Sequence, residues 1–243
     1  MKVIVCKDYE EMSAVAAKEV AANIAAKPDF VLGLPTGSTP VGMYKNLVAM
    51  NKAGEVDFSK VTTFNLDEYY QIEKEDEQSY HYFMYENLFS HINIDRANVH
   101  IPDGQSADTD KSCQAYEDAI KNAGGIDLQV LGAGVNGHIG FNEPEDALSL
   151  ITHKTSLTKN TIEVNSRFFD DISKVPTHAV TMGIKTILDA RKILILINGE
   201  NKAPVIDAMM SGKITTACPA SLLQLHKDVI LITDEATMAK TGK

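Results

Sequence analysis

Residues 30–66 read FVLGLPTGSTPVGMYKNLVAMNKAGEVDFSKVTTFNL, and they give the clearest indication of the fold. Apolar, partly β-branched runs lie at both ends of the stretch, at residues 30–34 and 61–66. Between them, Tyr44, Leu47 and Val48 follow Pro40 at helical spacing. Continuous apolar runs are typical of strands that are covered on both faces. The stretch therefore predicts two parallel strands joined by a helix.

The same alternation continues along the chain. Further apolar runs lie at residues 3–6, 99–101, 128–131, 179–182, 193–197 and 229–232, and segments with helical period separate most of them. This pattern predicts an α/β fold with a doubly wound, mostly parallel sheet and helices on both faces, similar to a modified Rossmann fold. Without a low-complexity linker or a fixed repeat, we expect one domain over residues 1–243. The segment at about 146–176 is polar and then aromatic, which predicts an inserted lid.

Composition limits the classes of partner. The chain carries 23 Lys and Arg against 33 Asp and Glu, a formal charge of −10. This excess of acids disfavours nonspecific binding to nucleic acid or to an anionic membrane, so an anionic ligand needs a local positive site. The sequence has neither a signal-peptide core nor a membrane span, and its three cysteines lack metal-ligand spacing. We therefore expect a cytoplasmic protein with no bound metal.

The loops that follow the apolar runs are the places to look for chemistry, because ligands of open α/β sheets bind beyond the carboxyl ends of the strands. Residues 34–40, LPTGSTP, form the first such loop. Gly37 allows a close turn around a ligand, and the hydroxyls of Thr36, Ser38 and Thr39 can donate to a phosphate at a helix N-terminus. A plain turn with a Ser or Thr helix cap is the alternative interpretation.

Residues 64–69, FNLDEY, place two acids at the end of an apolar run. Adjacent residues of a strand point in opposite directions, so we expect only one of Asp67 and Glu68 to face a cleft. A general base for a carbon acid would lie at this end of a parallel strand, with its pKa set by partial burial. Two solvated surface carboxylates are the alternative.

Residues 131–144, LGAGVNGHIGFNEP, contain four glycines and a histidine within nine residues. Each glycine costs conformational entropy on folding, so this loop is better explained as the wall of a site than as a packing device. His138 suits proton transfer near neutral pH. Glu143 is close enough in sequence to orient the imidazole or to share its proton.

Two cations complete the candidate residues. Arg167 lies in NSRFF, and Lys202 follows the apolar run at 193–197. Each alone is more often a surface charge. Together with the hydroxyl-rich loop they form a coherent site for a phosphate in an acidic chain.

The motifs LPTGSTP, FNLDEY, GxGxNGHIGFNEP and NSRFF occur in this order over almost the whole chain, and they resemble the glucosamine-6-phosphate deaminase family. The resemblance implies the conversion of glucosamine 6-phosphate and water to fructose 6-phosphate and ammonia, with no organic cofactor and no metal. It implies a small sugar phosphate as the partner, and neither nucleic acid nor membrane.

Carried over by position, the resemblance makes Asp67 the base that moves the C2 proton to C1. It makes His138 the acid–base that opens the pyranose ring, with Glu143 as its partner. Some members have Asp where this chain has Asn136. Asn136 can hydrogen-bond His138 but cannot stabilise an imidazolium by charge, so Glu143 is the only nearby carboxylate of the loop.

The phosphate site follows from the same resemblance, which assigns Ser38 and Thr39, with Arg167 and Lys202, to that site. Two rival functions share related folds. One is 6-phosphogluconolactonase, which is less favoured because of Glu143 and the turn after Asp67. The other is a sugar-phosphate-sensing domain of a transcriptional regulator, which should carry a basic helix-turn-helix region that is missing here.

Regulation is the last expectation from the resemblance. Some family members are hexamers activated by N-acetylglucosamine 6-phosphate, which they bind partly through basic residues before NSRFF. His153 and Thr155 stand where two of these cations would be expected, and only Lys154 remains. We therefore expect a monomer or small homo-oligomer with hyperbolic kinetics and no such activation.

Overall fold

The computed structural model describes residues 1–158, 162 and 175–242. Within these residues the strands β1 to β10 are Lys2–Cys6, Val31–Leu34, Thr62–Asn65, Asp67–Tyr69, Val99–His100, Leu128–Gly132, His153–Ser156, His178–Thr181, Lys192–Ile197 and Val229–Asp234. The α-helices α1 to α7 are Tyr9–Ala26, Val41–Lys52, Tyr80–Asn87, Thr109–Asn122, Ile184–Leu188, Ala203–Met209 and Glu235–Met238. Short 3-10 helices lie at Phe89–His91, Arg96–Asn98, Glu200–Lys202 and Pro219–Leu225.

Seven strands form the main sheet in the order β1-β10-β9-β6-β2-β3-β5, and every neighbouring pair is parallel. From β2 the chain winds outward to β3 and β5, whereas from β6 it winds the other way to β9 and β10. β2 and β6 are therefore neighbours where the winding reverses. The loops that follow them open side by side, at the place where doubly wound sheets bind their ligands.

Helices cover both faces of this sheet, as the sequence predicts. Leu32 of β2 packs in one apolar cluster with Met12 of α1 and Tyr44 of α2. The neighbouring residue Val31 points the other way and packs in a second cluster with Tyr116 of α4. Burying one such side chain stabilises the fold by about 1.5–3 kcal/mol. The two clusters hold the strands rigidly and fix the positions of the loops at their ends.

Helix α1 shows how local sequence places an element. The Asp8 carboxylate accepts the N–H of Glu11 at 2.9 Å and caps the helix, a contact of a kind that is typically worth about 1 kcal/mol. Met12, Val20 and Ile24 then lie on one buried stripe. The cap starts the helix, and the stripe docks it on the sheet.

The prediction that residues 179–182 form a strand of the main sheet is wrong. β8, which ends at Thr181, lies between β4 and β7 in a three-stranded antiparallel sheet. Ala179 and Val180 are as buried as the residues of a central strand. An apolar run indicates burial on both faces and does not indicate which strands pair with it. The small sheet brings β4, with Asp67 and Glu68, next to β8.

None of the helices formed by the described residues is long and apolar enough to cross a bilayer.

Candidate active site

The loop after β2 is held in place by hydrogen bonds from outside it. The Tyr9 hydroxyl lies 3.1 Å from the carbonyl oxygens of both Ser38 and Thr39 and donates to them, and it accepts the N–H of Gly42 at 2.8 Å. Gly37 has φ +94°, a left-handed conformation that a side chain would strain. The loop is therefore a fixed turn at the N-terminal end of α2.

The hydroxyls of this loop are not equivalent. Thr39 is buried, and its Oγ1 donates to Asn198 Oδ1 at 2.9 Å. It is therefore already committed as a donor. Ser38 is exposed and Thr36 is partly exposed, so their hydroxyls remain in reach of a bound anion. The contact of Thr39 with Asn198 also joins the loop after β2 to the loop after β9.

Of the two predicted cations, the structure describes Lys202 and not Arg167. Lys202 closes the 3-10 helix Glu200–Lys202, four residues beyond Asn198, and makes no ion pair within the described ranges. Burial lowers the pKa of its ammonium. A partly buried cation without an ion-pair partner among the described residues is suited to an incoming anion. Arg167 lies outside the described residues.

The two acids after β3 lie in different surroundings. Both are nearly fully buried. Glu68 accepts three backbone N–H groups, from Tyr69 at 2.8 Å, Tyr80 at 2.9 Å and His81 at 2.8 Å. The last two belong to the first turn of α3, where backbone donors lack helical partners. Glu68 is therefore a structural carboxylate that fastens α3 to β4.

Asp67 is the acid that faces the loop after β6. A Cβ built on Gly140 would lie 3.4 Å from Asp67 Oδ2, so the carboxyl sits against that loop. It has no hydrogen-bond or ion-pair partner among residues 1–158, 162 and 175–242. Burial raises the pKa of Asp67 to about 8, and the charge of Glu68 adds to the rise. Burial likewise raises the pKa of Glu68 to about 6, against the lowering effect of its three N–H donors.

The loop after β6 forms a pocket for one imidazole. A Cβ on Gly134 would lie only 2.3 Å from His138 Cε1, so the ring packs directly on the backbone of this glycine. Gly137 and Gly140 have φ +82° and +57°, which turn the chain on either side of the histidine. The glycines therefore shape the loop around His138.

His138 and Glu143 form a pair. The ring Nδ1 of His138 lies 3.0 Å from Glu143 Oε1, with the imidazole partly exposed and the carboxylate buried. Asn136 donates from Nδ2 to Glu143 Oε2 at 2.6 Å, and its Oδ1 accepts the backbone N–H of His138 at 3.3 Å. Asn136 thus contacts the backbone of His138 directly, and Glu143 links it to the imidazole.

Several residues of the site do not stand out in the sequence. Asn198 is the exception, because its position directly after the apolar run of β9 marks it as a candidate site residue. Thr181 accepts the N–H of Phe141 through its Oγ1 at 3.1 Å, and nothing in its own sequence context indicates this contact. Tyr80 stacks on Phe141 with ring centroids 6.0 Å apart. Such contacts depend on how the two sheets meet.

The arrangement brings together side chains that can transfer protons. In the part of the chain that the structure describes, no three His, Cys, Asp or Glu side chains come together as metal ligands would. A buried carboxyl with a raised pKa and a separate His–Glu pair are the groups needed for two distinct proton transfers.

Comparisons with known proteins point to one family. The chain matches the family described as Glucosamine-6-phosphate isomerases/6-phosphogluconolactonase over residues 7–232. A glucosamine-6-phosphate deaminase of Clostridium perfringens (strain 13 / Type A) is 58% identical over 235 residues, which cover 97% of each chain. One from Halothermothrix orenii is 55% identical over 235 residues, 97% of this chain and 98% of the relative.

Solved structures agree. A structure of a monomeric glucosamine-6-phosphate deaminase is similar with a TM-score of 0.95 at 42% identity, over 99% of this chain and 100% of that chain. The 6-phosphogluconolactonase from Trypanosoma cruzi reaches a TM-score of 0.79 at 20% identity, over 100% of this chain and 97% of that chain. At this lower identity the likeness concerns the fold alone.

Proposed function

Since the chain belongs to the family of glucosamine-6-phosphate isomerases and 6-phosphogluconolactonases, we propose that it converts glucosamine 6-phosphate and water to fructose 6-phosphate and ammonia. The observation that carries the proposal is the position of Asp67 against the turn at Gly140, three residues before Glu143. A sugar held there has a buried base on one side and the His138–Glu143 pair on the other.

Ring opening is the first step, and we assign it to His138 and Glu143. The proton of the C1 hydroxyl is removed, O5 gains a proton, and the C1–O5 bond breaks. A histidine whose Nδ1 lies 3.0 Å from a carboxylate can accept and return this proton. Asn136 holds that carboxylate without adding a second negative charge.

Isomerisation is the second step, and we assign it to Asp67. Its carboxylate takes the proton from C2 of the open-chain amino sugar, which gives an enolamine. The same proton is then delivered to C1, which gives an imine at C2. Burial favours the protonated acid, so the ionised base is strong once it forms. The ammonium group of the sugar would favour that ionised form as it binds. Water then adds at C2 and ammonia leaves.

The phosphate site is proposed to include Thr36, Gly37, Ser38 and Lys202, with Arg167 and a supporting role for Thr39. Contacts to the phosphate hold the flexible open chain in register and lower the entropic cost of reaching the transition state. Lys202→Ala and Arg167→Ala should each raise KM for the sugar phosphate, since a charge-assisted hydrogen bond is worth about 1.5–3 kcal/mol. Lys185→Ala, which removes an exposed lysine paired with Asp189, is the control and should leave KM unchanged. Unchanged KM in both phosphate-site variants would show that other residues bind the phosphate.

We further propose a monomer or small homo-oligomer that acts in the cytoplasm. The cysteines Cys6, Cys113 and Cys218 are all free thiols, which suits a reducing compartment.

The decisive experiment measures ammonia and fructose 6-phosphate released by the purified protein from glucosamine 6-phosphate. Equal amounts of both products are expected from the wild type, and none from Asp67→Asn, because an amide cannot act as the base. With ammonium present, Asp67→Asn should also lose solvent deuterium exchange at C1 of fructose 6-phosphate. Hydrolysis of 6-phosphogluconolactone without ammonia release would instead support the lactonase function.

A further inference from the structure

The small antiparallel sheet links the two places where protons would move. Asp67 of β4 is paired directly with Thr181 of β8. Directly paired residues of an antiparallel sheet have their side chains on the same face. The turn at Gly140 lies on that face, because a Cβ built there would be 2.8 Å from Thr181 Oγ1 and 3.4 Å from Asp67 Oδ2. Thr181 is therefore in contact with the turn and beside the base.

The end of β8 holds this turn through two consecutive residues. Thr181 is 0% exposed, and its Oγ1 accepts the N–H of Phe141 at 3.1 Å. The next residue, Met182, accepts Nδ2 of Asn142 at 2.8 Å through its carbonyl oxygen. Glu143 follows immediately, so these contacts set where the partner of the imidazole stands.

We propose that Thr181 is a positioning residue that fixes the distance between the ring-opening pair and the base. Its hydroxyl holds the turn that leads to Glu143, while its backbone holds Asp67 through strand pairing. One bound sugar then reaches both groups without moving. The inference rests on the proposed function, because it assumes that both groups act on the same sugar. No solvent reaches Thr181, so it acts through its neighbours and does not touch the sugar.

The two attachments respond differently to mutation. Thr181→Val keeps the shape of the side chain and the backbone pairing of β4 with β8, so Asp67 stays in place. It removes the acceptor of the buried Phe141 N–H, and a buried donor without a partner is costly enough to shift the turn. A displacement of about 1 Å can lower a rate by about 100-fold. We therefore expect a lower rate of ring opening and an unchanged rate of the base-catalysed step.

Two reactions separate these steps. Ammonia release from glucosamine 6-phosphate needs both groups. Deuterium uptake at C1 of 5-deoxyfructose 6-phosphate, with ammonium present, needs only the base, because this ketose lacks the hydroxyl that closes the ring. For Thr181→Val we expect kcat of ammonia release to fall by about 10- to 100-fold with KM nearly unchanged, while the exchange rate stays within about twofold. Thr181→Ser, which restores the hydroxyl, should restore kcat.

The matched control is Thr233→Val, since Thr233 is 0% exposed and its hydroxyl has no partner in the described parts of the chain. It should keep both rates. Should Thr181→Val not fold, Thr181→Ala provides a second variant without the hydroxyl, and the same two rates are compared. Equal losses in both reactions, or no loss in either, would overturn the positioning role. A wild type that releases no ammonia would overturn the proposed function, and the positioning role with it.

Discussion

Asp67 and Glu68 are adjacent carboxyls that the fold treats in opposite ways. Glu68 accepts three backbone N–H groups, two of them from the first turn of α3. Asp67 has no donor among the residues that the structure describes. Strand alternation predicts that only one of the two faces a cleft. It cannot say which one, because the donors come from residues 80 and 81, which only tertiary folding brings there.

The burial of Asp67 predicts how stability depends on pH. Its pKa is raised to about 8 in the folded protein, whereas in the unfolded chain it returns to near 3.8. Between these values the folded state holds a proton that the unfolded state has lost, so the free energy of unfolding falls as pH rises from about 4 to about 8 and levels off above that. Asp67→Asn removes this dependence. Relative to the wild type, the variant should gain on the order of 4 kcal/mol between pH 5 and pH 9.

Urea denaturation of both proteins at the two pH values, without ligand, measures this gain. Glu68 is present in both proteins, so its own titration largely cancels in the comparison. Free energies of unfolding that change in parallel with pH would contradict the burial of an ionisable Asp67.

At the level of elements, the loop after β6 depends on one close approach. A side chain at Gly134 would meet the His138 ring at 2.3 Å, whereas a Cβ at Gly132 would meet nothing within 4 Å. Gly134→Ala should therefore displace the imidazole and lower kcat of ammonia release by about tenfold or more. Gly132→Ala is the matched control and should remain close to wild type. Steady-state rates and thermal denaturation of both variants test this, and an active Gly134→Ala would show that the ring tolerates another position.

The elements themselves were largely predictable. Most apolar runs became strands of the main sheet within a residue or two, and helical spacing placed α1 and α2, because both signals are local. The partner of β8 was not predictable. Ala179 and Val180 are buried in the small sheet just as they would be in the large one, and sequence alone does not record which strand lies beside them.

At the scale of the whole molecule, strand β7 contains the positions that a second, regulatory phosphate site would need. Lys154 Nζ lies 3.4 Å from the centroid of the Tyr70 ring, so the single cation of this strand already has a partner. His153 Nδ1 contacts the carbonyl oxygen of Ile151 at 2.9 Å. A second phosphate site without available charges lacks the differential affinity that an allosteric switch requires.

We therefore predict hyperbolic rate curves that N-acetylglucosamine 6-phosphate leaves unchanged, and a monomer or small oligomer in sedimentation equilibrium. Sigmoidal curves that become hyperbolic with the acetylated sugar phosphate would show that another part of the chain supplies the site.

The pairing of β1 with β10 affects the order in which strands can pair during synthesis. Lys2 stands beside Ile230, and among the strands of the described residues β1 pairs with β10 alone. A ribosome adding about 5–20 residues per second needs roughly 10–45 seconds to pass from one strand to the other. During that time the apolar segment VIVC emerges without its partner strand. β1 can join the sheet only after synthesis has reached β10, so the first strand to be made is among the last to pair.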